Sequence, residues 1–138
     1  MSPKPHQATA TQPLAWVVFA DEVSVPWLWL LRRDFRHCFI LIEADAGWIL
    51  YNPLSHCTEL AWLSPAQALA VLQAHPAAVL VRVCRAPAVA LPWRPFTCVE
   101  AIKRALGLGH ACRALTPWRF HRFLLRRKLA IDFYPKIG

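Results

Sequence analysis

Two β-forming runs joined by a short link constrain this chain more than any other feature. Arg36-His37-Cys38-Phe39-Ile40-Leu41-Ile42-Glu43 and Trp48-Ile49-Leu50-Tyr51-Asn52 flank Ala44-Asp45-Ala46-Gly47. Runs of this composition around a turn-rich link predict an antiparallel hairpin. Side chains alternate along a strand, so His37, Phe39, Leu41 and Glu43 share one face while Cys38, Ile40 and Ile42 share the other. Pairing Glu43 with Trp48 sets Asn52 opposite Phe39 and diagonal to His37. A register slipped by one residue would put Tyr51 there instead, so the place of Asn52 is conditional on the pairing.

The remaining elements are read around this hairpin. Leu14 to Ala20 is an apolar run rich in β-formers that ends at Asp21-Glu22, and Thr58 to Leu63 adds a further short strand. Ser64-Pro65-Ala66-Gln67 is a capping signature with proline at the first helical position, and its helix runs to about His75, where Pro76 stops it. Ala77 to Cys84 is a strand by its valine content. Thr97 and Glu100 have the spacing of a capping box, which makes Thr97 the N-cap and Cys98 the first residue of a helix ending at Gly107. Thr116-Pro117 opens a last, basic helix over about 117–130, with Phe120, Phe123, Leu124 and Ile131 inward and Arg119, Arg122 and Arg126 outward. Residues 1–13 are polar with three prolines and read as a flexible tail. Pro26 to Leu31, with Trp27 and Trp29, reads as buried apolar surface, and Arg85 to Pro95 as an extended connection. The expectation is an α+β fold, a small antiparallel β-sheet packed against a cysteine-bearing helix, in a single domain over 14–138.

Composition narrows the function classes. At 138 residues and 57% hydrophobic the chain is long enough for one real core, and it is not a mainly disordered polymer. No apolar run reaches the length of a membrane span, and no secretion signal opens the sequence, so a cytoplasmic protein without a transmembrane segment is expected. Five cysteines without framework spacing imply reduced thiols. A net charge of +8 brings nucleic acid or another anionic surface into consideration. The charge gathers near the end, where six arginines and lysines between Arg113 and Lys128, with Lys136 beyond, face the single acid Asp132.

Chemistry centres on Cys98. A thiol in the first turn of a helix lies among unsatisfied backbone N–H groups at the positive end of the dipole, which favours the thiolate. The plainer alternative is core: Cys98, Ala101, Ile102, Ala105 and Leu106 follow the spacing of a buried helical stripe. A cysteine nucleophile also needs a base and a group that orients it. His37, at the start of a central strand, is the best base by position, and an imidazole can take the thiol proton and return it to a leaving group. Asn52 is the best orienting group, with His56 and Glu43 behind it. The N–H groups that open the Cys98 helix would hold an oxyanion. His37-Cys38, His56-Cys57 and His110-x-Cys112 lack the spacing of structural zinc sites, and neighbours on a strand point to opposite faces, so no metal or other cofactor is implied.

The histidine strand, the asparagine strand and then a capped helix opening Phe96-Thr97-Cys98-Val99-Glu100 resemble the papain-like cysteine peptidase and amidase superfamily in circularly permuted order. That group includes acyltransferases similar to lecithin retinol acyltransferase and bacterial cell-wall amidases. The resemblance spans roughly Leu14 to Leu108. It implies Cys98 as nucleophile, His37 as base and Asn52 as orienter in hydrolysis of a peptide or amide bond. The glutamine that assists the oxyanion hole in papain-like enzymes has no evident counterpart, and the glycine-serine-cysteine-tryptophan surroundings of papain are missing. Small basic members of this kind also look like proteins of bacteriophage or prophage genomes, which would associate the chain with a virion. The competing expectation is a non-enzymatic basic protein, or a catalytically dead papain-like fold, that binds nucleic acid or another anionic surface through Arg119, Arg122 and Arg126.

Overall fold

The computed structural model describes residues 12–21, 35–54, 56–83, 96–108 and 111–127. Five strands lie in one sheet: β1 (Leu14–Ala20), β2 (His37–Ala44), β3 (Gly47–Pro53), β4 (Thr58–Leu63) and β5 (Val79–Arg82). Three helices accompany them, α1 (Pro65–Ala74), α2 (Cys98–Ala105) and α3 (Pro117–Leu125). The strand order is β4-β3-β2-β1-β5 and every pairing is antiparallel, so the fold is α+β. Among the described residues no helix is long and apolar enough to cross a membrane. Most of the tail at 1–13, the Trp27 and Trp29 segment, the connection at 85–95 and Ile131 lie outside the described residues. The last helix ends at Leu125 rather than near 130, with Arg126 as its C-cap and a turn after it.

The hairpin takes the Glu43–Trp48 register, with Leu41 opposite Leu50 and Ile40 opposite Tyr51. Continuing that ladder sets Asn52 beside Phe39, on the His37 face. The strands reach further into the link than its composition suggested, because Ala44 pairs with Gly47 and leaves only Asp45 and Ala46 in the turn. Ala46 adopts φ 58°, a left-handed conformation that costs an alanine about 1 kcal/mol. Gly47 answers a different demand. A Cβ there would meet the Trp62 ring and the Leu63 carbonyl at 2.5 Å, so only glycine lets β4 pass.

The alternation of β1 and β2 builds two cores. On one face Ala15, Val17, Phe19, Cys38 and Ile40 pack with Val99, Ile102 and Leu106 of α2 and with Phe120 and Leu124 of α3. On the other, Val18, Ala20, Phe39 and Leu41 pack with Ala68 of α1 and the half-buried Val71 and Leu72. The sheet is thus a middle layer. α1 begins as its sequence predicts, with the Ser64 hydroxyl accepting from Gln67 N and the Gln67 side chain accepting from Ser64 N.

Helix α2 departs from a simple stripe. Val99, Glu100, Ala101, Ile102 and Lys103 are all buried, and Lys103 is fully so. Thr97 caps the helix, its Oγ1 accepting from Glu100 N at 3.3 Å, but the box its spacing predicts closes only on that side, because the Glu100 carboxylate turns into the helix instead of back to the cap. The Glu100 carboxylate meets Lys103 Nζ at 3.0 Å and Arg104 Nε at 3.6 Å. Lys103 Nζ also donates to the carbonyls of Cys112 and Ala114. One buried ammonium therefore ties the cysteine helix to the segment leading into α3.

Candidate active site

The site forms where the first residue of β2 meets the first residue of α2. The start of β2 is pinned to the end of β1: Arg36 N donates to Ala20 O at 3.1 Å, and the Arg36 guanidinium pairs with Asp21 at 3.0 Å. That fixes His37 at the strand's end with its side chain buried, 5% exposed. Its Nε2 lies 2.6 Å from Asn52 Oδ1, and Asn52 is itself buried at 8% exposure. The Asn52 amide in turn donates from Nδ2 to Glu59 Oε2 at 3.0 Å. A carboxylate only accepts, so it draws Nδ2 and leaves Oδ1 for the imidazole, which must then carry a proton on Nε2. The ring nitrogen left to face Cys98 is Nδ1.

Cys98 is half-buried, and its thiol is held down to about 5. The largest cause is a hydrogen bond from the Cys38 side chain. Burial opposes ionisation, while a hydrogen bond and positive charge from His37 and the backbone N–H of Cys38 favour it. Cys38 moves the other way, pushed well above the ordinary thiol range by its burial and by the hydrogen bond and charge of Cys98. The pair works as a thiol donating to a thiolate. At neutral pH Cys98 is therefore a thiolate in contact with the His37 ring that takes its proton, the state in which sulfur is nucleophilic.

Cys98, His37 and Asn52 thus come together from α2, β2 and β3. The two alternatives for the orienting position do not join them. Glu43, at the far end of β2, accepts from Leu14 N at 3.0 Å, and His56 is exposed in the turn between β3 and β4. Arg119 and Arg122 on α3, and Arg126 at its C-cap, are exposed; α3 packs against β5, with β1 between that strand and the one bearing His37.

Two residues of the site were not singled out by sequence reasoning. Alternation along β2, which argues against His37 and Cys38 sharing an ion, also puts Cys38 on the face away from His37. Cys98 lies at the strand's end, where it reaches both the His37 ring and the Cys38 thiol. Glu59 stands directly opposite Asn52 in the β3–β4 ladder, a position that only the register of that ladder reveals. A cleft of about 450 Å³ opens beside Asn52 on the α1 face, walled by Phe39, Leu50 and Val71 with Asp21 and His75. Comparison with known proteins finds no matching family model, no matching curated protein and no matching solved structure.

Proposed function

We propose that the protein is a thiol hydrolase that cleaves a peptide or amide bond through a thioester on Cys98, in the manner of the permuted papain-like enzymes that its element order resembles. The observation that carries this reading is the chain of contacts from the Cys98 thiol through the His37 ring to the Asn52 amide. The Cys98 sulfur forms a bond to the substrate carbonyl carbon and the carbonyl electron pair moves to oxygen. N–H groups that open α2 would hold that oxyanion. Collapse breaks the C–N bond, and the proton that His37 Nδ1 took from the Cys98 thiol goes to the departing amine. Water then adds to the thioester while Nδ1 takes its proton. Breakage of the C–S bond releases the acid and restores the thiolate.

Throughout, Nε2 keeps its proton toward Asn52 Oδ1, so only Nδ1 cycles. The exposed arginines of α3 would serve an anionic surface or nucleic acid, a property separable from Cys98.

The test is covalent labelling read peptide by peptide, because Cys57 is also exposed. Alkylation of Cys98 by iodoacetamide should follow a midpoint near pH 5. p-Nitrophenyl acetate should release nitrophenolate in a burst and leave an acetyl group on Cys98 alone. His37→Ala should slow the burst by about 10²–10⁴-fold. A Cys98 that alkylates with the midpoint of an ordinary thiol, or that never carries the acetyl group, would sink the reading.

A further inference from the structure

An asparagine amide is nearly symmetric in shape but opposite in hydrogen bonding at its two ends. Turned over, Asn52 would offer Nδ2 to His37 Nε2 and favour the neutral tautomer protonated on Nδ1. That tautomer has no lone pair facing Cys98. Some partner must therefore choose the amide's orientation, and Glu59 is placed to do so. It lies opposite Asn52 across the β3–β4 ladder, and its Oε2 accepts from Asn52 Nδ2 at 3.0 Å. With the amide reversed, Oδ1 would face the carboxylate, setting two acceptors against each other.

We propose that Glu59 is a positioning residue of this site, fixing the Asn52 amide so that Oδ1 faces His37 and the imidazole presents an unprotonated Nδ1 to the Cys98 thiol. The inference rests on the reading of Cys98 and His37 as nucleophile and base. Glu59 hydrogen-bonds to Asn52. It acts through Asn52 alone, and as an exposed residue of the edge strand β4 it can be replaced without opening the core.

The experiment compares Glu59→Lys, Glu59→Ala and Glu59→Gln in the full chain, with and without Asn52→Ala. Two readouts are followed: the pH midpoint of iodoacetamide alkylation at Cys98, and the ring ¹⁵N shifts of His37, which report the tautomer. Lysine donates where glutamate accepts, so Glu59→Lys should reverse the amide, shift His37 toward the Nδ1–H form and raise the midpoint. A rise from about pH 5 to about 7 lowers the alkylation rate at pH 6 about tenfold. Glu59→Ala should move both readouts the same way by less, and decides the matter if the lysine variant does not fold. Glu59→Gln keeps an acceptor and should stay close to the parent protein. In the Asn52→Ala background the Glu59 substitutions should change nothing further.

If Glu59→Lys and Glu59→Ala leave midpoint and tautomer unchanged while Asn52→Ala moves them, Glu59 has no such role and the hydrolase reading stands. Shifts that persist in the Asn52→Ala background overturn the role in the same way. If the parent Cys98 already titrates as an ordinary thiol, or ignores His37→Ala, the hydrolase reading falls and takes this one with it.

Discussion

At Cys98 the decisive neighbour is another thiol. Helix dipole, backbone N–H and imidazole all favour the thiolate, yet the strongest single cause is the hydrogen bond from Cys38, a buried group whose own proton is held fast. Cys38→Ala should therefore raise the Cys98 alkylation midpoint from about 5 toward the ordinary range, while Cys38→Ser, which keeps an O–H donor, should hold most of the depression. Peptide-resolved alkylation across pH 4 to 9 measures both. An unchanged midpoint in the alanine variant would transfer the effect to His37 and the backbone. This residue was legible only in part. Strand alternation puts Cys38 on the face opposite His37, and that is the face α2 covers. It does not show that a helix starting beyond the strand's end reaches residues of both parities. Asn52, by contrast, was legible because one hairpin register fixes its place, and that register is the one observed.

Elements follow the same division between local and non-local information. The Ser64 and Thr97 caps, the strand at Leu14–Ala20 and the hairpin are written in contiguous residues, and each forms where its pattern puts it. The interior of α2 is not written that way. Its apolar stripe accounts for Ala101, Ile102 and Leu106, but not for the burial of Glu100 and Lys103, which depends on carbonyls contributed by Cys112 and Ala114. The i,i+3 spacing of Glu100 and Lys103 was the available signal, and such a pair is ordinarily a surface feature. Removing Lys103 leaves the buried Glu100 carboxylate with only the longer contact to the half-exposed Arg104, so Lys103→Met should destabilise the protein by about 3–5 kcal/mol. Glu100→Leu/Lys103→Met should recover most of that loss, short of about 1–3 kcal/mol for carbonyls left without a donor. Urea unfolding of the two variants measures the difference. Equal stability of the single and double variants would mean that the carbonyl contacts, not the ion pair, make Lys103 necessary.

Across the whole molecule, the three-layer arrangement places two titrating groups in settings that act on stability with one sign. Cys98 ionises in the folded state near 5 but in the unfolded chain only near 8.5. Its stabilising contribution is full above the unfolded value, declines as pH falls and is gone below about 5. His121 packs edge-on against Phe19 at 5.0 Å between α3 and the sheet. Burial lowers its affinity for a proton, against the opposing pull of a hydrogen bond to the Ala77 backbone. Its contribution is likewise lost as pH falls below the unfolded value near 6.5. In both cases the unfolded chain binds more protons, so stability must rise with pH. The interval from pH 5 to 6.5 lies above the folded Cys98 value and at or below the unfolded values of both groups. The urea midpoint should climb across it, Cys98→Ser should flatten the climb, and adding His121→Phe should flatten it further. The core should tolerate that ring, since aromatic neighbours already surround the site. A climb that survives Cys98→Ser undiminished would mean that the folded chain leaves Cys98 protonated like the unfolded one. The local stabilisation that the site requires would then not be a product of the fold.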